Sequence, residues 1–192
     1  MKSALLIGVV LLIGVVVLGG GCVVQGYNRA MTLDAAVKNN WAEVDNQLQR
    51  RFDLIPNLVE TVKGVAGQEQ KVFLGIAEAQ KAYFNAGTVA QKAEAAGDVQ
   101  TALSRLLLLQ QQYPQLKSNE EFLKLQDSIE GTENRLAVAR NHYNAAVQEL
   151  DVYMRQFPTS IYASFAGIEH PAYFKVEEGA KTAPKVDFSG KS

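Results

Sequence analysis

Trp41-Ala-Glu-Val-Asp-Asn-Gln-Leu-Gln-Arg-Arg-Phe-Asp-Leu-Ile-Pro-Asn-Leu-Val-Glu-Thr-Val-Lys63 is the stretch on which the reading of the fold turns. Leading into it and through its first half, Leu33, Val37, Trp41, Val44, Leu48, Phe52 and Ile55 recur at spacings of three and four. Leu58, Val59, Val62, Val65, Ala66, Val72, Phe73 and Ile76 keep the same rhythm beyond it. Both runs predict amphipathic helices. Asp53-Leu-Ile-Pro56 lies between them. Asp is a favourable N-cap, Pro is tolerated in a first helical turn, and Pro deep inside a helix costs about 3 kcal/mol. The expectation is a corner at Asp53–Pro56 joining two antiparallel helices. Trp41 is then expected to anchor the first helix on the second. Arg50 and Arg51, at the far end of the first helix beside its negative dipole end, are read first as capping carbonyls and pairing with Asp53, with a phosphate or partner interaction surface as the alternative.

Working outward, Asn85-Ala-Gly87 stops the second helix, and the Ala-, Gly-, Gln- and Lys-containing run up to Gly97 reads as a loop or frayed helix. Asp98 is placed to cap a third helix, Val99–Tyr113, which Pro114 ends. Its Leu106-Leu-Leu-Leu109 run is apolar around most of the helix, so it is expected to be sandwiched between neighbours. Ser118-Asn-Glu-Glu121 has capping-box spacing. A fourth stripe follows: Phe122, Leu125, Ile129, Leu136, Ala139, Tyr143, Val147, Leu150, Met154 and Phe157, ended by Pro158. Residues 160–166 predict one short helix. From Gly167 to Ser192 the pattern is that of an extended tail, with Phe165, Tyr173 and Phe174 available to pin its beginning.

At the other end, Ser3–Val24 carries no charge, and fourteen of its residues are Leu, Ile or Val. As a helix these residues extend roughly 33 Å, against a bilayer core of about 30 Å. Three fates fit: a retained transmembrane anchor, a lipoprotein signal cut before Cys22, or an ordinary signal released after Gly21. Gly19-Gly20-Gly21 before Cys22 suits lipidation, but Leu18 lies one place too far back for the usual lipoprotein box. The anchor is the leading expectation, with Cys22 the candidate acylation site. Lys2 before the segment and Arg29 and Lys38 after it give a weak charge asymmetry, leaning only slightly towards an extracytoplasmic domain. Tyr27 suits the headgroup layer.

The chain of 192 residues has net charge −1, with 19 basic and 20 acidic residues and no basic block. Nucleic acid is therefore not an expected partner. One cysteine rules out an internal disulfide. The expected organisation is all-α: a membrane anchor or lipoprotein-type signal over 1–25, an elongated antiparallel bundle of about four main helices over 26–166, and a tail over 167–192.

Chemical centres are not apparent. A bundle di-iron site uses Glu-x-x-His, whereas Ala139 stands three before His142 and Gly167 three before His170. Neither histidine sits in a nucleophile motif, and no phosphate-binding Gly-rich loop is present. No catalytic, cofactor-binding or metal-ligating residue is therefore expected.

Tyr27-Asn28, Trp41…Val44-Asp45…Leu48…Arg50-Arg51…Asp53-Leu-Ile-Pro-Asn-Leu-Val59…Val62-Lys63, Asn119…Phe122, Glu133-Asn134-Arg135, Ala139-Arg140…Tyr143-Asn144…Val147, Phe157-Pro158, Tyr173-Phe174 and Pro184-Lys-Val-Asp-Phe188 together resemble the LemA family. The likeness covers nearly the whole chain after the apolar stretch. It implies a bacterial, membrane-anchored protein with an antiparallel helical bundle, some members starting as lipoproteins, and it implies no reaction. Asp151 departs from the pattern, where Asn is expected; that bears on a local hydrogen bond. The functional expectation is a non-catalytic scaffold or interaction module of the cell envelope. Its expected partners are the lipid bilayer and an unidentified envelope protein, with self-assembly as a further reading. The alternative is a lipid-anchored accessory subunit of an envelope enzyme or transport system.

Overall fold

The computed structural model describes residues 2–174; side-chain surroundings are outside the description at 2–12, 15, 16 and 18. Among the described residues six helices follow in order: α1 Lys2–Ala66, α2 Gln70–Asn85, α3 Val89–Gln112, α4 Pro114–Lys117, α5 Glu120–Arg155 and α6 Thr159–Phe165. No strand occurs among the described residues. The tail beyond Phe174, including Pro184–Phe188, lies outside them.

The contacts divide into two compact units. The first takes residues up to 49 and 133–172, so it holds the earlier part of α1, the later part of α5, and α6. Ala30, Leu33, Val37, Val44 and Leu48 face Leu136, Ala139, Tyr143, Val147 and Leu150, and all ten are buried. Spacings of three and four on both helices make a narrow seam of coiled-coil type. Tyr153 meets Gly26, Glu149 meets Arg29 and Tyr143 meets Trp41. Partners on α5 fall in number as those on α1 rise, so the pair is antiparallel.

The second unit holds residues 50–132 together with Tyr173 and Phe174. Its core takes Phe52, Ile55, Leu58 and Val62 from α1, Phe73, Ile76 and Tyr83 from α2, and Val99, Leu103, Leu106 and Leu109 from α3. Leu116, Phe122, Ile129 and Phe174 complete it. Phe174 thus pins the chain after α6, while Phe165 and Tyr173 stay exposed.

The expected corner at Asp53–Pro56 does not form: Pro56 lies inside α1. The reason is one of magnitude. Pro removes one hydrogen bond and crowds the preceding turn, at about 3 kcal/mol. Phe52, Ile55, Leu58 and Val62 remain in phase with Leu48 and are each no more than 3% exposed. Burying such side chains is worth about 1.5–3 kcal/mol apiece, so keeping the stripe in register outweighs the proline. Pro56 itself points to solvent. The chain reverses instead after Ala66, where the Glu69 N–H donates to the Ala66 carbonyl at 3.1 Å. Gly67 belongs there because an added Cβ would meet the Lys63 carbonyl oxygen at 3.1 Å.

Other helix ends also differ from expectation. α3 begins ten residues earlier than Asp98 would have it, at Val89. Thr88 Oγ1 accepts from the Gln91 N–H, and Gln91 Oε1 accepts from the Thr88 N–H, closing a capping box. Gln in place of Glu made that signal easy to overlook. At α5 the cap is Asn119, whose Oδ1 accepts from the Phe122 N–H at 2.9 Å, while Ser118 Oγ turns back to the Gln115 carbonyl. Leu108 is 56% exposed, so the Leu106–Leu109 run is not enclosed on all sides. The stops at Asn85 and before Pro114 and the short helix after Pro158 match the expectation.

Candidate functional site

In the first unit, Trp41 is half-buried and sets its ring edge-on to Tyr143, centroids 5.4 Å apart. The expected partner, the helix after Pro56, is replaced by α5. The Tyr143 hydroxyl donates to the Ala172 carbonyl at 2.7 Å and so ties the segment after α6 to α5. Burial pushes the Tyr143 phenol above its ordinary range.

Beside this contact lies an open trough of about 470 Å³ lined by Glu43, Gln47, Asn134, Arg135, Val138, Ala139 and His142. Gln47 Nε2 donates to Glu43 Oε1 at 2.7 Å, so the carboxylate is oriented within α1. His142 and Glu43 share the trough, yet no cluster of three metal-binding side chains occurs among the described residues.

Asp151 gathers a small charged group. Arg155, one turn later on α5, brings Nε to 2.9 Å from Oδ2, and His170 Nδ1 lies 3.2 Å from Oδ1. The Arg155 hydrogen bond is the main reason the Asp151 carboxyl is held below its usual range; that arginine's charge and the His170 contact add to it. Asn at this position would lack the charge that recruits both bases.

In the second unit Arg50 is exposed and Arg51 is 3% exposed. Because α1 continues to Ala66, neither arginine sits at a helix end, and only Arg50 presents its side chain to solvent. Glu69 is half-buried and accepts from the Tyr113 hydroxyl, which in turn accepts from Gln68 Nε2. This trio joins residues more than forty apart and left no local signature. The Asp151–Arg155 pair was visible as an i, i+4 spacing of opposite charges. Cys22 is an exposed free thiol on α1.

The folded parts define a class: an all-helical protein whose long helices pair through heptad-like seams, with an open trough and buried aromatic ties. The LemA family's sequence model matches residues 40–188, and the chain belongs to the LemA family. Magnetosome protein MamQ 2 of Paramagnetospirillum magneticum (strain AMB-1) is 22% identical over 182 residues, covering 81% of this chain and 67% of that protein. Magnetosome protein MamQ of Magnetospirillum gryphiswaldense (strain MSR-1) is 25% identical over 184 residues, with the same coverage.

Proposed function

We propose that this protein is a membrane-anchored, non-catalytic helical scaffold of the bacterial envelope. One observation carries the reading: the uncharged Ser3–Val24 segment and the seam residues Ala30–Leu48 belong to one helix, α1. No helix is long and apolar enough to cross a membrane when only the described residues are counted, and most side chains of the apolar run fall outside that count. The sequence supplies the rest. Fourteen Leu, Ile and Val residues at roughly −0.3 to −0.6 kcal/mol each favour insertion by several kcal/mol. The backbone hydrogen bonds of a continuous helix are satisfied internally, as a lipid environment demands.

The retained anchor is preferred over cleavage before Cys22 because Gly19 stands where the lipoprotein box takes Leu, with Leu18 one place further back. Both relatives are named as magnetosome proteins, names that carry a place and no reaction. That supports a structural role. The partner is then an envelope protein held against an exposed helix face, for which the Glu43–His142 trough is the leading surface.

The test is photo-crosslinking in cells from Val138, which is 54% exposed in that trough. A reproducible protein adduct that disappears when residues 3–24 are deleted is the expected result. No adduct under any envelope condition, or turnover abolished by His142→Ala in a folded chain, would contradict a scaffold. Mass spectrometry of the mature chain should return an N-terminus that retains residues before Cys22; an acylated Cys22 at the terminus would put the lipoprotein reading in its place.

A further inference from the structure

The end of the first unit nearest the apolar segment carries a cluster of uncovered apolar side chains. α6 is seated on α1 at Gly26, where an added Cβ would collide with the Tyr162 ring. The Tyr153 hydroxyl donates to the Gly26 carbonyl at 2.7 Å, and Thr159 Oγ1 donates to the Tyr153 carbonyl. The start of α6, the end of α5 and Gly26 are therefore fixed at one level. Ala163 and Tyr162 are turned inward. Ile161 and Phe165, four apart, share the outer face, and Phe165 is 80% exposed. Phe157, just before α6, is 83% exposed, and Val152 and Tyr27 are also uncovered.

We propose that this α6 end is a second lipid contact, a foot that dips its phenylalanines into the bilayer interface alongside the anchor. The inference rests on the anchored reading above. Its occupant follows from distance along α1. The apolar segment ends at Val24, and Gly26 lies about 3 Å further along the helix axis. The headgroup layer is roughly 5–7 Å deep on each side of the hydrocarbon core. A helix seated at Gly26 therefore sits at headgroup depth. There Phe, Ile and Tyr side chains reach the acyl boundary, as in interfacial amphipathic helices. Two contacts, one spanning and one lying on the surface, fix the azimuth of the first unit about the anchor as a single span cannot.

The experiment uses the full chain in phosphatidylcholine vesicles carrying a nitroxide on an acyl chain. The single native tryptophan is replaced by Trp41→Phe, and a reporter is placed by Phe165→Trp, by Val17→Trp as the anchor control, or by Val138→Trp as the remote control. Expected are quenched, blue-shifted emission at positions 165 and 17 and unquenched emission at 138. Quenching at 17 with none at 165 overturns the foot and leaves the anchor standing. Blue-shifted but unquenched emission at 165 also overturns it, in favour of cover by protein. A chain that fails to float with the vesicles and is quenched nowhere overturns anchor and foot together. Repeating the series with Trp41 retained, read as the difference from the parent chain, gives the same answers if Trp41→Phe disturbs the fold.

Discussion

Single side chains tie the first unit together, and their removal has calculable consequences. Tyr143 is 1% exposed, and its hydroxyl spends its one proton on the Ala172 carbonyl. Tyr143→Phe keeps the ring against Trp41 and deletes only that bond. A loss of about 0.5–1.5 kcal/mol in urea unfolding is expected, with faster proteolysis after α6. Asp151 gives a pH signature. Its folded-state carboxyl titrates below the ordinary value of 3.8, chiefly through Arg155. The contribution is therefore fully present above the unfolded value and is lost as pH falls through the lower folded value. Comparing urea midpoints of the parent and Asp151→Asn across pH should show a gap that persists from neutral through mildly acidic pH and closes only in acid. A gap that closes near neutrality would contradict the assignment.

Among the elements, α1 is the instructive case. Pro56 is exposed in the interior of a helix, so Pro56→Ala restores a backbone hydrogen bond without touching the core. Helix propensity, which already includes the unfolded chain, favours Ala by about 3 kcal/mol, so a gain of up to about 3 kcal/mol is expected from urea titration. Destabilisation would instead indicate that α1 ends at Asp53. The apolar rhythm around Pro56 was legible in the sequence, as were the helix stops at Asn85 and Pro114 and the short helix after Pro158. The error lay in letting a local breaker override a stripe that never lost phase. The Thr88 and Asn119 caps were hidden for a related reason: the residue types were right for capping, but stronger-looking candidates, Asp98 and Ser118, competed with them. The Glu69–Tyr113 link and the seating of Tyr162 on Gly26 are tertiary, and nothing in local spacing encodes them. Arg51 illustrates the same limit, since a charged residue on a helix reads as surface until its neighbours are known.

At the scale of the whole chain, LemA-family membership fixes the kind of protein, and the account of its work rests on one linkage: the apolar N-terminal run and the first unit's seam lie on the same helix. An anchor joined by a flexible linker would let the bundle tumble. Under the proposed reading, an anchor continuous with the seam would transmit its position in the bilayer directly to the trough and to α6. Flotation tests that linkage's first requirement most directly. Full-length chain with a verified intact N-terminus should rise with lipid vesicles in a density gradient, remain with them through alkaline carbonate, and lose both properties when residues 3–24 are removed. Intact chain that stays wholly in the aqueous layer would contradict the account.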